Sequence, residues 1–358
     1  MRNQRTSLKR LGLFLGVLLI MLCAACGGGE KESPPANNAG SESTPQVQLD
    51  AIKISATGVG SPLHTLAVGI GDIISKNTAI SASVVSTGGA DAAVRQLRDQ
   101  RAEFSVTNND PAIQALVGNL QFASEGKAPI RLIGQGQTTL RTIVARADSG
   151  IKEVTDLKGN PFAGKRPSEV TIERFGNAAL NAYGINPGEV KFVETADVAQ
   201  CTQAIQQGSV KAAIIPGGVP AASIMNLAQA LDVILISIDD PDKQAAILDE
   251  MGPAFKWETI PAGTYKGQDA PVTTISESVV FITREDVTEE AVYQITKAIY
   301  DNYDTLKLVH NVAKEWTVEN ALKDPGIPFH PGAIKYFKEI GVWDADMEQI
   351  QQDLLAKI

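Results

Sequence analysis

From residue 50 onward, two repeating patterns of hydrophobic and polar positions follow one another along the chain. Short alternating or wholly apolar runs predict strands, and longer runs with apolar residues three and four positions apart predict helices. The first predicted strands are 51–55, 81–86 and 104–106, and helices follow near residues 63 and 90 and after residue 111. Three successive strand–polar loop–helix units are typical of a parallel α/β sheet.

A second series of such units follows the predicted strand 140–146. It includes a loop at 162–168 before a helix at 170–182, a strand and loop at 212–220, and a strand at 233–238. A long β-prone run at 272–282 then returns the chain to the first unit, and helices fill residues 288–358. Two α/β lobes joined by crossing strands form a hinged clamp that closes on a ligand. We therefore predict an α/β, two-lobed fold with a ligand cleft between the lobes. The expected ranges are 50–140 for lobe one, 141–271 for lobe two with the crossing strands, and 272–358 for the return to lobe one and the C-terminal helices.

The first 25 residues have the pattern of a secretory signal. Residues 1–10 carry four basic side chains and no acidic one, and an uncharged apolar run, 11–22, follows. That run is shorter than the roughly 20 residues that span a bilayer, so a signal peptide is favoured over a membrane helix. Cys26, after two alanines, resembles the lipidated cysteine of a bacterial lipobox, although Cys23 stands where leucine is usual. Secretion without lipid, after cleavage at residue 25, is the alternative.

Residues 26–49 predict a flexible linker after the lipidated cysteine. Within it, residues 27–48 are dominated by Gly, Ser, Pro, Asn and Glu, and as a random coil these 22 residues span about 26 Å. We therefore expect an extracytoplasmic protein that is lipid-anchored to the cell membrane. Removing residues 1–25 changes the net charge from −9 to −13. An acidic chain argues against a nucleic-acid partner, because phosphate binding needs a basic face, but a small anionic ligand needs only a locally basic pocket.

The polar loops after the predicted strands are the candidate ligand site. Ligands of parallel sheets bind beyond the carboxyl ends of the strands, where helix N-termini present free N–H groups. Arg166 could add a bidentate bond to a carboxylate. The alternatives are a capping role for Thr87 or Asp110, a tight turn for the glycines, and a solvated loop for Lys165 and Arg166. The candidate residues are Gly58, Gly60, Ser61, His64, Thr87, Gly88, Gly89, Asn108, Asn109, Asp110, Lys165, Arg166, Ser168, Pro216, Gly217 and Gly218.

Patterns that carry catalysis or bind a cofactor are missing from the sequence. There is no phosphate-binding G-x-x-x-x-G-K-[ST], no nucleophile G-x-S-x-G and no H-E-x-x-H zinc pattern, and the three histidines lie far apart. Cys201 is the one cysteine of the body of the protein, so no internal disulfide forms there, and a small buried side chain before a helix is expected. We predict a binding protein that is not an enzyme and that needs no cofactor or metal.

Five stretches of the sequence carry a resemblance to a known family: 259–269, 313–317 and 328–333 in the C-terminal third, and 87–89 and 146–151 before them. With them, residues 50–343 resemble the TAXI family, the substrate-binding subunits of TRAP (tripartite, ATP-independent) transporters. This resemblance implies a type II periplasmic-binding-protein fold, a small organic acid such as glutamate or 2-oxoglutarate as ligand, and a membrane permease driven by an ion gradient as partner. Two departures concern the ligand: His64 falls near a position where the family has tyrosine, and 164–171 replaces a loop that usually reads close to Gly-Ser-Gly-Thr. A receptor of an ATP-driven importer and a ligand-sensing surface lipoprotein remain as alternatives.

Overall fold

The computed structural model describes residues 49–358, so Cys26 and the predicted signal and linker lie outside the described residues. The strands are β1 (Ala51–Ala56), β2 (Ser81–Ser86), β3 (Phe104–Asn108), β4 (Ile130–Arg146), β5 (Pro161–Lys165), β6 (Lys191–Glu194), β7 (Ala212–Gly217), β8 (Val233–Ile236), β9 (Phe255–Ile260) and β10 (Val272–Arg284). The helices are α1 (Pro62–Asn77), α2 (Ala90–Arg98), α3 (Asn109–Val117), α4 (Thr171–Ala182), α5 (Val198–Gln207), α6 (Ala222–Ala230), α7 (Pro241–Met251), α8 (Glu289–Asp301), α9 (Tyr303–Leu306), α10 (Val318–Leu322), α11 (Pro331–Glu339) and α12 (Ala345–Leu355). Short 3-10 turns occupy Leu120–Phe122, Ala147–Ser149, Val154–Leu157, Pro187–Glu189 and Asn311–Glu315.

These strands form one sheet in the order β2-β1-β3-β10-β4-β7-β5-β6, with β8 beside β4 and β9 beside β10. The first three strands are parallel to one another, and so are β5, β6 and β7. The long strands β4 and β10 run antiparallel to each other and to their other neighbours. This confirms the predicted α/β fold, in which the antiparallel β10 lies between β3 and β4.

The crossing strands are longer than the sequence predicts. β4 has 17 residues, and at about 3.3 Å per residue it extends for about 56 Å, which is enough to pass through both lobes. Its first half was not predicted because two glycines interrupt the apolar pattern. A side chain at Gly134 would overlap Tyr300, and one at Gly136 would overlap Trp316, so close packing requires both glycines.

The hydrophobic core divides into two lobes. Lobe one has a single large cluster to which α1, α8 and α11 and the sheet edge β2-β1-β3 contribute. Lobe two has two clusters on opposite faces of its sheet, one beneath α4 and α7 and one beneath α5 and α6. The chain enters lobe two along β4 and leaves it along β10, so these strands form the hinge.

Three local predictions need correction. Cys201 lies within α5, not before it, and is buried, and burial raises the pKa of its thiol to about 11. The short strand β6 was missed because its four residues have polar ends, and β9 was missed although its residues alternate. Among the described residues, every helix is too short or too polar to cross a membrane.

Candidate functional site

The turn between β1 and α1 lies at the carboxyl end of its strand, as predicted. The Ser61 hydroxyl caps α1 by accepting a hydrogen bond from the His64 N–H at 3.1 Å, and it lies 2.7 Å from the Thr57 hydroxyl. Gly60 has a φ of +85°, a conformation that favours glycine, while Gly58 packs beside the next loop. These residues therefore shape the turn, and His64 is half-buried in the first turn of the helix.

The loop between β2 and α2 touches the opposite lobe directly. The Ser168 hydroxyl of lobe two donates a hydrogen bond to the Gly88 carbonyl oxygen at 3.0 Å. A Cβ atom at Gly89 would overlap the Ser168 carbonyl oxygen, so only glycine permits this approach. The Thr87 hydroxyl donates to the Ala56 and Gly89 carbonyl oxygens and therefore does not cap α2. The two lobes are closed on each other at this point.

Asp91, in the first turn of α2, makes a second contact between the lobes. Its buried carboxylate accepts a hydrogen bond at 2.9 Å from the Val170 N–H, at the start of α4. The Gln121 amide donates to the other carboxylate oxygen at 3.0 Å. Burial raises the pKa of Asp91 to about 6, the Glu169 charge adds to that effect, and the hydrogen bonds oppose it.

The first turn of α3 makes a third contact between the lobes. The Asp110 carboxylate accepts hydrogen bonds from the Arg174 guanidinium at 2.6 Å and from the Thr171 hydroxyl at 3.1 Å, both in α4. Asp110 lies inside α3 and is not its cap, because the cap position is Asn108. The Asn108 side-chain oxygen accepts a hydrogen bond from the Thr139 hydroxyl of β4 at 3.2 Å.

Glu277 of the hinge occupies the N-terminus of α3. Its carboxylate accepts a hydrogen bond from the Asp110 N–H at 2.7 Å and another from Arg141, and all three residues are fully buried. Burial raises the pKa of Glu277 to about 8, against the opposing effect of the Arg141 charge. The chain's own carboxylates therefore fill the positive ends of α3 and α4.

Arg166 is buried beside the same network. Its guanidinium Nη1 lies 2.9 Å from one Glu169 oxygen, and the Arg141 Nη2 lies 3.1 Å from the other. The Nε atoms of Arg141 and Arg166 are buried and have no hydrogen-bond partner among residues 49–358. Lys165 lies nearer the surface, and its Nζ atom is 3.4 Å from the Glu173 Oε1 atom. Two N–H donors next to one carboxylate thus lack an acceptor.

The β7 loop and Asn109 lie apart from this network. Pro216 and Gly217 pair with β4, and Gly218 packs beside Val312 of lobe one. Asn109 lines a groove of about 500 Å³ on another side of the hinge, between β9 and the chain around α10. The structure therefore brings together only part of the predicted set: residues 87–89, 108, 110, 166 and 168.

Five charged residues at the lobe contact were not predicted: Asp91, Arg141, Glu169, Arg174 and Glu277. A charged residue within an apolar strand, or in the first turn of a helix, is usually paired when it is buried. That signal was present for Asp91, Arg141 and Glu277. Among residues 49–358 there is no group of three or more His, Cys, Asp or Glu side chains that could hold a metal ion.

Comparison with known proteins gives the family. The sequence pattern of the NMT1-like family matches residues 54–341, which is most of the chain. The chain belongs to the NMT1-like family.

Three solved structures to which this NMT1-like chain is similar are binding proteins. The alkanesulfonate-binding protein SsuA from Xanthomonas axonopodis pv. citri, bound to MOPS, is 14% identical, with 86% of this NMT1-like chain and 95% of that chain covered and a TM-score of 0.44. The aliphatic sulphonate binding protein SsuA from Escherichia coli is 15% identical, with 86% of each chain covered and a TM-score of 0.44. A substrate-binding protein of an ABC uptake transporter from Streptococcus pneumoniae, with bound histidine, is 11% identical, with 76% and 94% covered and a TM-score of 0.46.

Proposed function

We propose that this NMT1-like protein captures a small organic acid between its lobes and delivers it to a TRAP-type permease, as a member of the TAXI group. The acid is of the glutamate or 2-oxoglutarate type, and the protein binds it without converting it. The proposal rests on the buried, unpartnered Nε donors of Arg141 and Arg166 beside the closed lobe contact.

These two donors favour an anionic ligand. A buried N–H group without an acceptor costs about 1–3 kcal/mol, and a hydrogen bond to a charged group contributes about 1.5–3 kcal/mol. A ligand carboxylate that reached both Nε atoms would supply the missing acceptors. Because Glu277 and Asp91 already occupy the N-termini of α3 and α4, we expect the guanidinium groups to hold the acid in place of those helix ends.

Ligand capture and lobe closure are coupled in this proposal. The hydrogen bond between Ser168 and Gly88 and the ion pair between Asp110 and Arg174 form only when the lobes meet. A ligand beside Arg166 would be enclosed by the same movement, which is the behaviour of hinged binding proteins. In this proposal, lipid attached at Cys26 anchors the receptor to the membrane, near the permease.

Calorimetry with a panel of amino acids, keto acids and dicarboxylates tests the ligand class. We expect saturable binding of carboxylates, and Arg166→Ala should weaken it at least tenfold, about 1.4 kcal/mol. Arg101→Ala is the matched control, because Arg101 is exposed on lobe one and should leave affinity unchanged. Binding of neutral ligands alone would contradict the acid, whereas carboxylate binding that Arg166→Ala leaves intact would remove only Arg166 from the site.

Two further measurements test the receptor role. Mass spectrometry of small molecules released from the denatured protein should identify an unmodified acid, and small-angle scattering should show a smaller radius of gyration when ligand is added. Transport in vesicles would separate the partners: uptake driven by an ion gradient supports a TRAP permease, and uptake that requires ATP supports an ATP-driven importer. Ligand binding without any transport would instead favour a sensing lipoprotein.

A further inference from the structure

The groove between β9 and α10 lies across the sheet from the charged lobe contact. Successive side chains of a strand point to opposite faces. Ser278 pairs with Thr138, and both line the groove, whereas Glu277 contacts Arg141 on the other face. Glu258 belongs to the groove face as well, because it accepts a hydrogen bond from the Thr138 hydroxyl at 2.9 Å. The groove is thus a separate space, and it does not depend on the acid-binding function.

Both lobes supply charged side chains to this groove. Glu258 and Lys256 come from β9 in lobe two, and Glu315, Lys323 and Asp324 come from lobe one. In the part of the chain that the structure describes, none of these five side chains forms an ion pair. Three carboxylates against two ammonium groups leave the groove with an excess of negative charge.

Two buried oxygen atoms at the groove lack hydrogen-bond donors. Asn109 is 5% exposed and Gln135 is 3% exposed, and the side-chain oxygen of each has no hydrogen-bond partner in the described part of the chain. The Gln135 amide nitrogen already donates to the Lys323 carbonyl oxygen, so its oxygen is the end left over. Unpaired buried acceptors cost free energy, which a ligand with N–H donors would recover.

The two facing glutamates point to a cationic ligand in particular. Partial desolvation and the nearby Glu258 carboxylate raise the pKa of Glu315, while Lys256 opposes that effect. A positive charge between Glu258 and Glu315 would relieve this repulsion. Among the described residues, these side chains do not form a group of three or more that could hold a metal ion.

We propose that this groove binds a small organic solute with primary ammonium groups. One ammonium group lies between Glu258 of lobe two and Glu315 of lobe one, and its N–H groups donate to the side-chain oxygens of Asn109 and Gln135. A volume of about 500 Å³ accommodates a short-chain amine. Because the two glutamates belong to different lobes, the bound amine also joins the lobes across the hinge.

Calorimetry with putrescine on the full chain tests this site, with butanediol as an uncharged probe and magnesium chloride as a metal probe. We expect saturable binding of putrescine, and no saturable binding of butanediol or magnesium chloride. Glu258→Gln and Glu315→Gln should each weaken it at least tenfold, because each removes one of the two charges beside the ammonium group. Glu319→Gln is the matched control, since Glu319 is exposed on α10 and outside the groove.

Three outcomes would overturn the proposal: no saturable heat with putrescine at millimolar concentration, equal affinity in the Glu258→Gln, Glu315→Gln and Glu319→Gln variants, or binding of magnesium without putrescine. The Arg166→Ala variant keeps this test separate from the acid-binding function. It should bind putrescine normally, so failure of either site leaves the other result interpretable.

Discussion

Replacing Asp91 by asparagine should stabilise the protein at neutral pH and have little effect in acid. Burial raises the pKa of this carboxyl group from 3.8 to about 6, and that difference corresponds to about 3 kcal/mol. Because the folded chain binds this proton more tightly than the unfolded chain, Asp91 favours folding most below pH 3.8. That contribution is lost as the pH rises through about 6. Asp91→Asn removes the buried charge and so avoids the loss.

The residues around Asp91 can accommodate an asparagine side chain at this position. The side-chain oxygen of the asparagine can still accept the hydrogen bond from the Val170 N–H. Its NH₂ group can donate to the side-chain oxygen of Gln121, which is buried without a partner and becomes available when the Gln121 amide rotates. We therefore expect a gain of up to about 3 kcal/mol in the free energy of unfolding at about pH 7.5, and less than about 1 kcal/mol at about pH 4.

Urea unfolding at both pH values measures this difference. Asp72→Asn is the control, because Asp72 is exposed and pairs with Lys76 at 2.6 Å, and its loss should change stability by less than about 0.5 kcal/mol. Since Val170 belongs to the other lobe, the wild-type chain can also relieve the buried charge by opening. Scattering would then show a smaller radius of gyration for Asp91→Asn at neutral pH. If the wild-type and Asp91→Asn chains had equal free energies of unfolding at both pH values, and equal radii of gyration, the reasoning would be refuted.

Three other predictions follow from single positions. Gly89→Ala should weaken ligand binding at least tenfold, because the new methyl group would overlap the Ser168 carbonyl oxygen. Gly88→Ala is the control, because a methyl group there makes only ordinary contacts and should leave affinity unchanged. Equal affinities of the two variants by calorimetry would show that the contact between Gly89 and Ser168 is not part of closure. Cys26→Ala should release the protein from the membrane, and identical behaviour of both forms in detergent phase separation would contradict the lipid anchor. Burial lowers the pKa of His330 from 6.5 to about 4, so acidification from pH 6.5 to about pH 4 should lower the free energy of unfolding by about 3 kcal/mol. His330→Asn should avoid this loss, because asparagine does not titrate and can still cap α11. If urea unfolding of the wild-type chain and of this variant showed the same pH dependence, the prediction would be contradicted.

Local patterns were enough to predict most of lobe one. The strands Ala51–Ala56 and Ser81–Ser86 and the helix Ala90–Arg98 have their apolar residues at the expected spacing, so neighbours in sequence decide their structure. The rule that ligands bind at the carboxyl ends of parallel strands selected Gly88 and Asp110 as candidates for ligand binding, and the structure places both at the lobe contact. The strands and helices were predictable because each depends on a short stretch of chain.

Contacts between the lobes could not be predicted in the same way. Asp91 and Val170 are 79 residues apart, and Arg141 and Glu277 are 136 residues apart, so their pairing depends on how the folded lobes meet. Arg166 shows the opposite case: its partner Glu169 is only three residues later, and this pair was visible in the sequence. A glutamate three residues after an arginine in a loop indicates that the arginine is held in place before any ligand binds.

The course of the crossing strands also fixes an order of assembly. Lobe two is inserted within lobe one, and the partners Asp110 and Glu277, which meet at the centre of the molecule, are separated by 167 residues. Closing so long a loop is slow, but a lobe two that has already folded brings the ends of β4 and β10 together and shortens the loop. Lobe one therefore completes its sheet last, after the chain has returned along β10. A chain in which a short turn replaced lobe two would remove that delay and should fold its remaining sheet faster.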